Sequence, residues 1–110
     1  MDIKEQYEKL FQKLKMELPL KATPTRELVQ VFRNKEIRIT LKTELTITDM
    51  HNSGDISGIM CVVQNDKKNV IACALTHLIF SPNFHLYKEI IDYQKKREKR
   101  IERLNSFGIN

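Results

Sequence analysis

The chain has few of the residues that break or cross-link a backbone: three Gly, three Pro and two Cys in 110 residues. With so little Gly and Pro, and with no low-complexity tract or internal repeat, extensive disorder is excluded and a globular body is expected. No apolar stretch reaches the roughly 20 residues of a membrane-spanning helix. The first residues alternate acidic and basic side chains rather than placing a basic cap before an apolar run. We therefore expect no membrane span and a cytoplasmic protein.

Motifs that carry catalysis or metal binding are also missing. The sequence has no Gly-rich phosphate loop, no Gly-x-Ser-x-Gly, no Cys-x-x-Cys and no His-Glu-x-x-His. These absences favour a binding module over an enzyme, and we expect no cofactor. The length predicts a single domain over residues 1–110.

Two apolar runs, residues 56–64 and 70–79, flank a polar turn and predict a buried β-hairpin. A turn centred on Asp66-Lys67 pairs residues whose numbers sum to 133. In that register Cys61 and Cys73 point to opposite faces, so they cannot form a disulfide and should be reduced core thiols. Neither face is polar, and we expect helices or a partner subunit on both sides of these strands.

The other segments predict three helices and a further strand region. Helical spacing predicts helices over residues 2–16, 24–34 and 83–105, with Thr23-Pro24 at the start of the second helix and Ser81-Pro82-Asn83 at the start of the third. Alternation over residues 37–50 predicts one bent strand or two short ones. The predicted fold is α+β, an antiparallel sheet of three or four strands with helices packed on it, in the order ααβββα. A winged helix fits less well, because a wing is short and polar.

Charge is concentrated at the C-terminal end. Residues 94–110 hold six Lys or Arg against two Glu, which accounts for most of the formal net charge of +5, and they predict a basic helical extension. On a helix, five cations form one contiguous arc, with both glutamates on the other flank: Lys95, Lys96, Lys99, Arg100 and Arg103. Two interpretations remain open, an anion-binding flank for nucleic acid, an acidic protein or a membrane surface, and a solvated helix end.

Histidines and aspartates form a second candidate site. If the strands pair as a meander, these residues meet at one edge of the sheet. An acid–base site would use Asp49, His51, Asp55 and His77, and a site for zinc, iron or nickel would use His51, Asp55, His77 and His85. The alternative is that polar residues simply collect where strands end.

These patterns together predict a non-enzymatic binding or regulatory module. We expect it to be homo-oligomeric through its excess apolar surface and to engage an anionic partner, nucleic acid or an acidic protein, through the C-terminal cations. The alternative is a small metal-dependent or acid–base enzyme with its site at one edge of the sheet.

Overall fold

A computed structural model describes residues 3–65 and 69–106 and has an α+β fold. In chain order the elements are α1 (Ile3–Met16), β1 (Leu20–Pro24), α2 (Arg26–Asn34), β2 (Leu45–Asn52), the single turn α3 (Gly54–Ser57), β3 (Ile59–Gln64), β4 (Val70–Ala74), a 3-10 turn (Leu75–His77), β5 (Leu78–Ile79) and α4 (Tyr87–Ser106). The strands form one sheet in the order β4-β3-β2-β1-β5, and every neighbouring pair is antiparallel. The predicted class is confirmed, whereas the predicted order ααβββα lacks β1 and β5.

The helices follow the predicted periodicity, with corrections at their starts. The N-cap of α2 is Thr25, whose Oγ1 accepts a hydrogen bond from the Leu28 amide at 3.4 Å. The predicted cap at Thr23-Pro24 is wrong because Pro24 ends β1 and pairs with Leu78. Likewise α4 begins at Tyr87 rather than at residue 83, since residues 81–86 form turns. Residue 2, the predicted start of the first helix, lies outside the described residues.

The strand predicted over residues 37–50 is correct only from Leu45 onward, because residues 37–44 form no regular element. This strand, β2, pairs with β1 only through Leu45–Ile47. Beyond that point Lys15 of α1 covers its edge: the Lys15 ammonium donates to the Met50 carbonyl at 3.3 Å and lies 3.8 Å from the Asp49 carboxylate. A helix side chain therefore replaces a neighbouring strand there.

The hairpin prediction is correct in kind and wrong in register. Cys61 pairs with Cys73 and Met60 with Ala74, so paired numbers sum to 134 rather than 133. The predicted turn at Asp66-Lys67 falls outside the described residues. A slip of one residue reverses the facing of a whole strand relative to its neighbour. The two cysteines consequently lie opposite each other on the same buried face, as free thiols.

Only one face of the sheet is covered in the part of the chain that the structure describes. Alternate residues of β3 and β4 are buried under the helices, in a cluster that includes Leu14, Phe32 and Ile90. On the other face Val70 is 58% exposed and Ala72 is also exposed. Helices therefore cover one of the two faces, and the expected cover of the other face by a partner subunit stays a prediction. The open apolar patch consists of Met60, Val62, Val70, Ala72 and Ala74.

Candidate anion-binding surface

The last helix, α4, lies against the core in its first half and leaves it afterwards. Ile90, Tyr93 and Arg97 lie on its inner side and are 1%, 2% and 4% exposed. The next inner position is Ile101, which is 38% exposed, and all side chains of residues 98–103 are exposed. The C-terminal turns therefore project into solvent. Across residues 3–65 and 69–106, no helix has both the length and the apolar character needed to cross a membrane.

The predicted basic arc lies on this projecting part of α4. It is the set Lys95, Lys96, Lys99, Arg100 and Arg103, in which Lys96 is half-buried and the other four side chains are exposed. Lys96 is already neutralised: its ammonium lies 3.0 Å from the Asp92 carboxylate, and it donates to Gln6 of α1 at 3.4 Å. That contact joins one flank of the arc to α1.

Lys95, Lys99 and Arg103 have no ion pair or hydrogen bond to another side chain among the residues that the structure describes. They recur every fourth residue, so they follow each other at about 6 Å along the helix axis. Like charges at this spacing repel by a few tenths of a kcal/mol. No described residue neutralises this part of the arc, and a polyanion would relieve its repulsion.

A cleft of about 440 Å³ lies between the start of α1, the α3 turn and α4. Its apolar wall is formed by Tyr7 and Tyr93, whose rings meet edge to face with centroids 4.6 Å apart. The Tyr93 hydroxyl accepts a hydrogen bond from the Ile59 amide at 2.9 Å, and burial raises the pKa of that hydroxyl. The rim carries both signs of charge, because Lys4 is positive and Glu5 and Glu8 are negative. This cleft is therefore not an extension of the basic arc.

Gly58 lets α4 approach the start of β3 at this cleft. Its φ of +68° is a conformation that side-chain-bearing residues rarely adopt. A Cβ there would lie 2.6 Å from the Tyr93 hydroxyl and 2.9 Å from Arg97 Nε. Sequence reasoning did not predict the cleft. Two signals for it were present: an arginine, Arg97, in the apolar stripe of α4, and a glycine where a strand begins.

The histidines do not form the predicted metal site. His77 lies where the chain crosses to the far edge of the sheet, and its carbonyl accepts hydrogen bonds from the Thr25 amide at 3.0 Å and hydroxyl at 3.2 Å. His85 pairs with Glu17 at 2.7 Å. Among the described side chains, no three His, Cys, Asp or Glu come together to hold a metal ion. The side chain of Asp55 lies outside that set. The prediction assumed that the strands pair as a meander. That assumption is wrong after β4, because the next strand, β5, pairs with β1.

One pair of the predicted acid–base site is present. His51 Nε2 lies 3.5 Å from Asp49 Oδ2, and the two side chains are 60% and 47% exposed. The Met50 amide, which donates to Asp49, is the main cause of the lowered pKa of that carboxyl; Lys15 and His51 lower it further. Both side chains are open to water, and the pKa of Asp49 is shifted away from the raised value that a general base would require.

No family model, curated protein or solved structure matches this chain. The function is therefore inferred from the surface of the protein itself.

Proposed function

We propose that the protein is a non-enzymatic, homo-oligomeric binding module whose basic arc binds nucleic acid through its phosphates. The observation that carries this proposal is the row formed by Lys95, Lys99 and Arg103. These three cations are exposed, one helical turn apart and without an anionic partner among the described residues. Phosphate contacts of this kind give sequence-independent binding, because each one releases condensed counterions.

The chemistry of the projecting turns favours nucleic acid over a membrane surface. A helix that lies in a membrane interface needs a broad apolar face opposite its cations. Between residues 95 and 106, the apolar residues are Ile101 and Leu104, which are too few for such a face. An acidic protein would present negative charge to the arc, as nucleic acid does. The experiment below therefore includes a polyglutamate peptide as an alternative ligand.

The homo-oligomeric part of the proposal is supported by the open apolar patch on β3 and β4. Soluble proteins rarely leave contiguous apolar surface of this kind uncovered, and a second copy is a partner that every solution of the protein contains. Val70 at 58% exposed is the clearest member of the patch.

Binding of a fluorescent mixed-sequence DNA duplex, measured by anisotropy over a range of salt concentrations, tests the nucleic-acid part. If three to five arc cations neutralise phosphates, affinity should fall roughly 40- to 500-fold between about 50 and 200 mM salt, because log K falls by about 0.9 per phosphate for each tenfold rise in salt concentration. The double variant Lys95→Glu, Lys99→Glu should lower the salt slope by about two and remove most binding at 200 mM salt.

The matched control is Lys35→Glu with Lys42→Glu, since both of these lysines are exposed, lie outside α4 and change the net charge equally. Retained binding in the control and loss in the arc variant supports the proposal. Equal loss in both variants would assign binding to net charge rather than to the arc. Absence of duplex binding at low salt would overturn the proposal, as would binding confined to anionic vesicles or to a polyglutamate peptide.

A further inference from the structure

The strand β4 is one edge of the sheet, and its main-chain groups can be assigned to an inner and an outer side. Across the hairpin the Asn65 amide donates to the Asn69 carbonyl at 3.3 Å. Hydrogen-bonded pairs alternate with non-hydrogen-bonded pairs in an antiparallel ladder, so Val63–Ile71 and Cys61–Cys73 are the bonded pairs. The amides of Ala72 and Ala74 therefore point away from β3, to the outer edge.

This edge lacks the features that keep edge strands from pairing. Natural edges are blunted by charged side chains, proline, bulges or very short strands. The sequence of β4, Val-Ile-Ala-Cys-Ala, carries no charge and no proline in a chain that is 30% charged. Its pairing with β3 runs without a register shift. The opposite edge, β5, has two residues, and Lys15 covers the unpaired part of β2.

We propose that two copies of this chain join through β4, antiparallel and about a two-fold axis at Ala72, so that the two sheets become one. The proposal rests on the homo-oligomeric part of the proposed function, and it assigns the contact to the edge of β4, beside the open apolar patch, rather than to the face of the patch itself. In this arrangement Ala72 pairs with its counterpart in the second copy, and each Ala74 amide donates to the Val70 carbonyl of the other copy.

A second copy fits this edge for reasons of symmetry and charge. An antiparallel strand pair is itself two-fold symmetric, so a strand can pair with an identical strand in an isologous contact. Each chain carries a net charge of +5, and β4 is a strand that itself brings no charge into the contact between two such chains. The side chains along the axis are small, since residues 72 and 74 are both alanine. No bulky group therefore stands between the two backbones.

The size of the contact sets its strength. A strand of five residues is about 17 Å long, so the paired edges bury less than the roughly 1,200 Å² of a standard stable interface. The dimer should therefore exchange with monomer over the micromolar to millimolar range of protein concentration. Sedimentation equilibrium without nucleic acid measures this exchange.

Amide hydrogen exchange on the unmodified chain gives the most direct test. The amides of Ala72 and Ala74 should become protected as protein concentration rises. Those of Ile71 and Cys73 bond within the hairpin and should be protected at every concentration. Equal protection of all four at the lowest concentration, or no change for Ala72 and Ala74 where sedimentation shows dimer, would overturn the proposal.

Two variants separate the edge of the sheet from its open face. Ala72→Pro removes an outward amide and should abolish the dimer, whereas Val62→Lys charges the open apolar patch one strand inward and should leave the dimer intact. If Ala72→Pro does not fold, Ala72→Lys serves instead, because it places two ammonium groups opposite each other at the axis. If Val62→Lys loses the dimer and the variants at position 72 keep it, the dimer would instead form by packing of the open apolar patches of two copies against each other.

The dimer is measured without nucleic acid, so its failure can be told apart from failure of the basic arc. A chain that binds the duplex but stays monomeric at millimolar protein concentration would overturn this inference and leave the basic arc standing. A chain that forms the β4 dimer without binding the duplex would support this inference and remove the nucleic-acid part of the proposed function.

Discussion

The two faces of the β3–β4 hairpin differ far more in burial than in composition. In β3 the covered face holds Ile59, Cys61 and Val63, all at most 1% exposed, and the open face holds Met60 and Val62, which are partly exposed. Apart from Gln64 at the end of the open face, both sets are apolar. Hydrophobicity along such a strand indicates that it belongs in a sheet, and the packing of the helices decides which face is buried. The open face is then left with apolar surface that a partner can use.

The largest expected difference between the faces appears at alkaline pH. Burial raises the pKa of both thiols on the covered face, that of Cys73 to about 12 and that of Cys61 further. A thiol in the unfolded chain has a pKa of about 8.5. Below that pH both thiols are neutral in the folded and in the unfolded protein, so their ionisation does not change the stability. As pH rises above that value, the unfolded chain ionises first and the free energy of unfolding falls, by about 2 kcal/mol per thiol at roughly pH 10.

Urea denaturation across this pH range measures that loss. The double variant Cys61→Ala, Cys73→Ala should lose much less stability between neutral pH and pH 10, although its stability at neutral pH will also differ. The same pH dependence in both proteins would mean that the thiols are not buried together under the helices.

The next largest effect contrasts a glycine on the covered side with one in open space. Gly58→Ala should lower the free energy of unfolding by about 2 to 4 kcal/mol, since the positive φ costs about 1 kcal/mol and overpacking a further roughly 1 to 3 kcal/mol. Gly54 also has a positive φ, of +84°, but nothing lies within 4 Å of a Cβ placed there. Gly54→Ala should therefore cost only the backbone term, about 1 kcal/mol. Urea denaturation measures both costs, and similar values for the two variants would contradict the close approach of α4.

A neighbouring pair of valines tests the comparison within one strand. Val63 is fully buried and Val62 is partly exposed on the other face. Val63→Ala should destabilise by about 2 kcal/mol through lost burial and a residual cavity, and Val62→Ala by less than about 1 kcal/mol. Chemical denaturation of the two variants at low protein concentration measures both, and the opposite order would show that the facing is reversed.

The smallest effect removes one hydrogen bond from the covered side. Tyr93→Phe leaves the buried Ile59 amide without its acceptor and should cost about 1 to 2 kcal/mol, measured by the same denaturation experiment. The control is Tyr87→Phe, because Tyr87 is only partly buried and its hydroxyl has no hydrogen bond to another described residue. Equal stability of wild type and Tyr93→Phe would mean that water takes the place of the hydroxyl at the cleft.

Local patterns predicted more of the fold than of the candidate sites. The apolar stripe and the sorted charges of α4 are properties of one helix, so helical periodicity alone identifies the members of the basic arc. The strand β1 was missed because Leu20–Pro24 is short, lies between two prolines and becomes a strand only by pairing with β2 and β5. The histidine site failed for a related reason, since it depended on the path of the chain after β4.

By itself, the sequence determined the helices, the existence of the hairpin and the placement of positive charge at the end of α4. Each of these depends on periodicity within a single segment, where side chains a few residues apart share a face. Tertiary structure alone decided the hairpin register, the buried face of the sheet and the path of the chain from β4 to β5. Those depend on contacts between residues far apart in the chain, and an apolar strand fits either facing equally well until helices pack on one side of it.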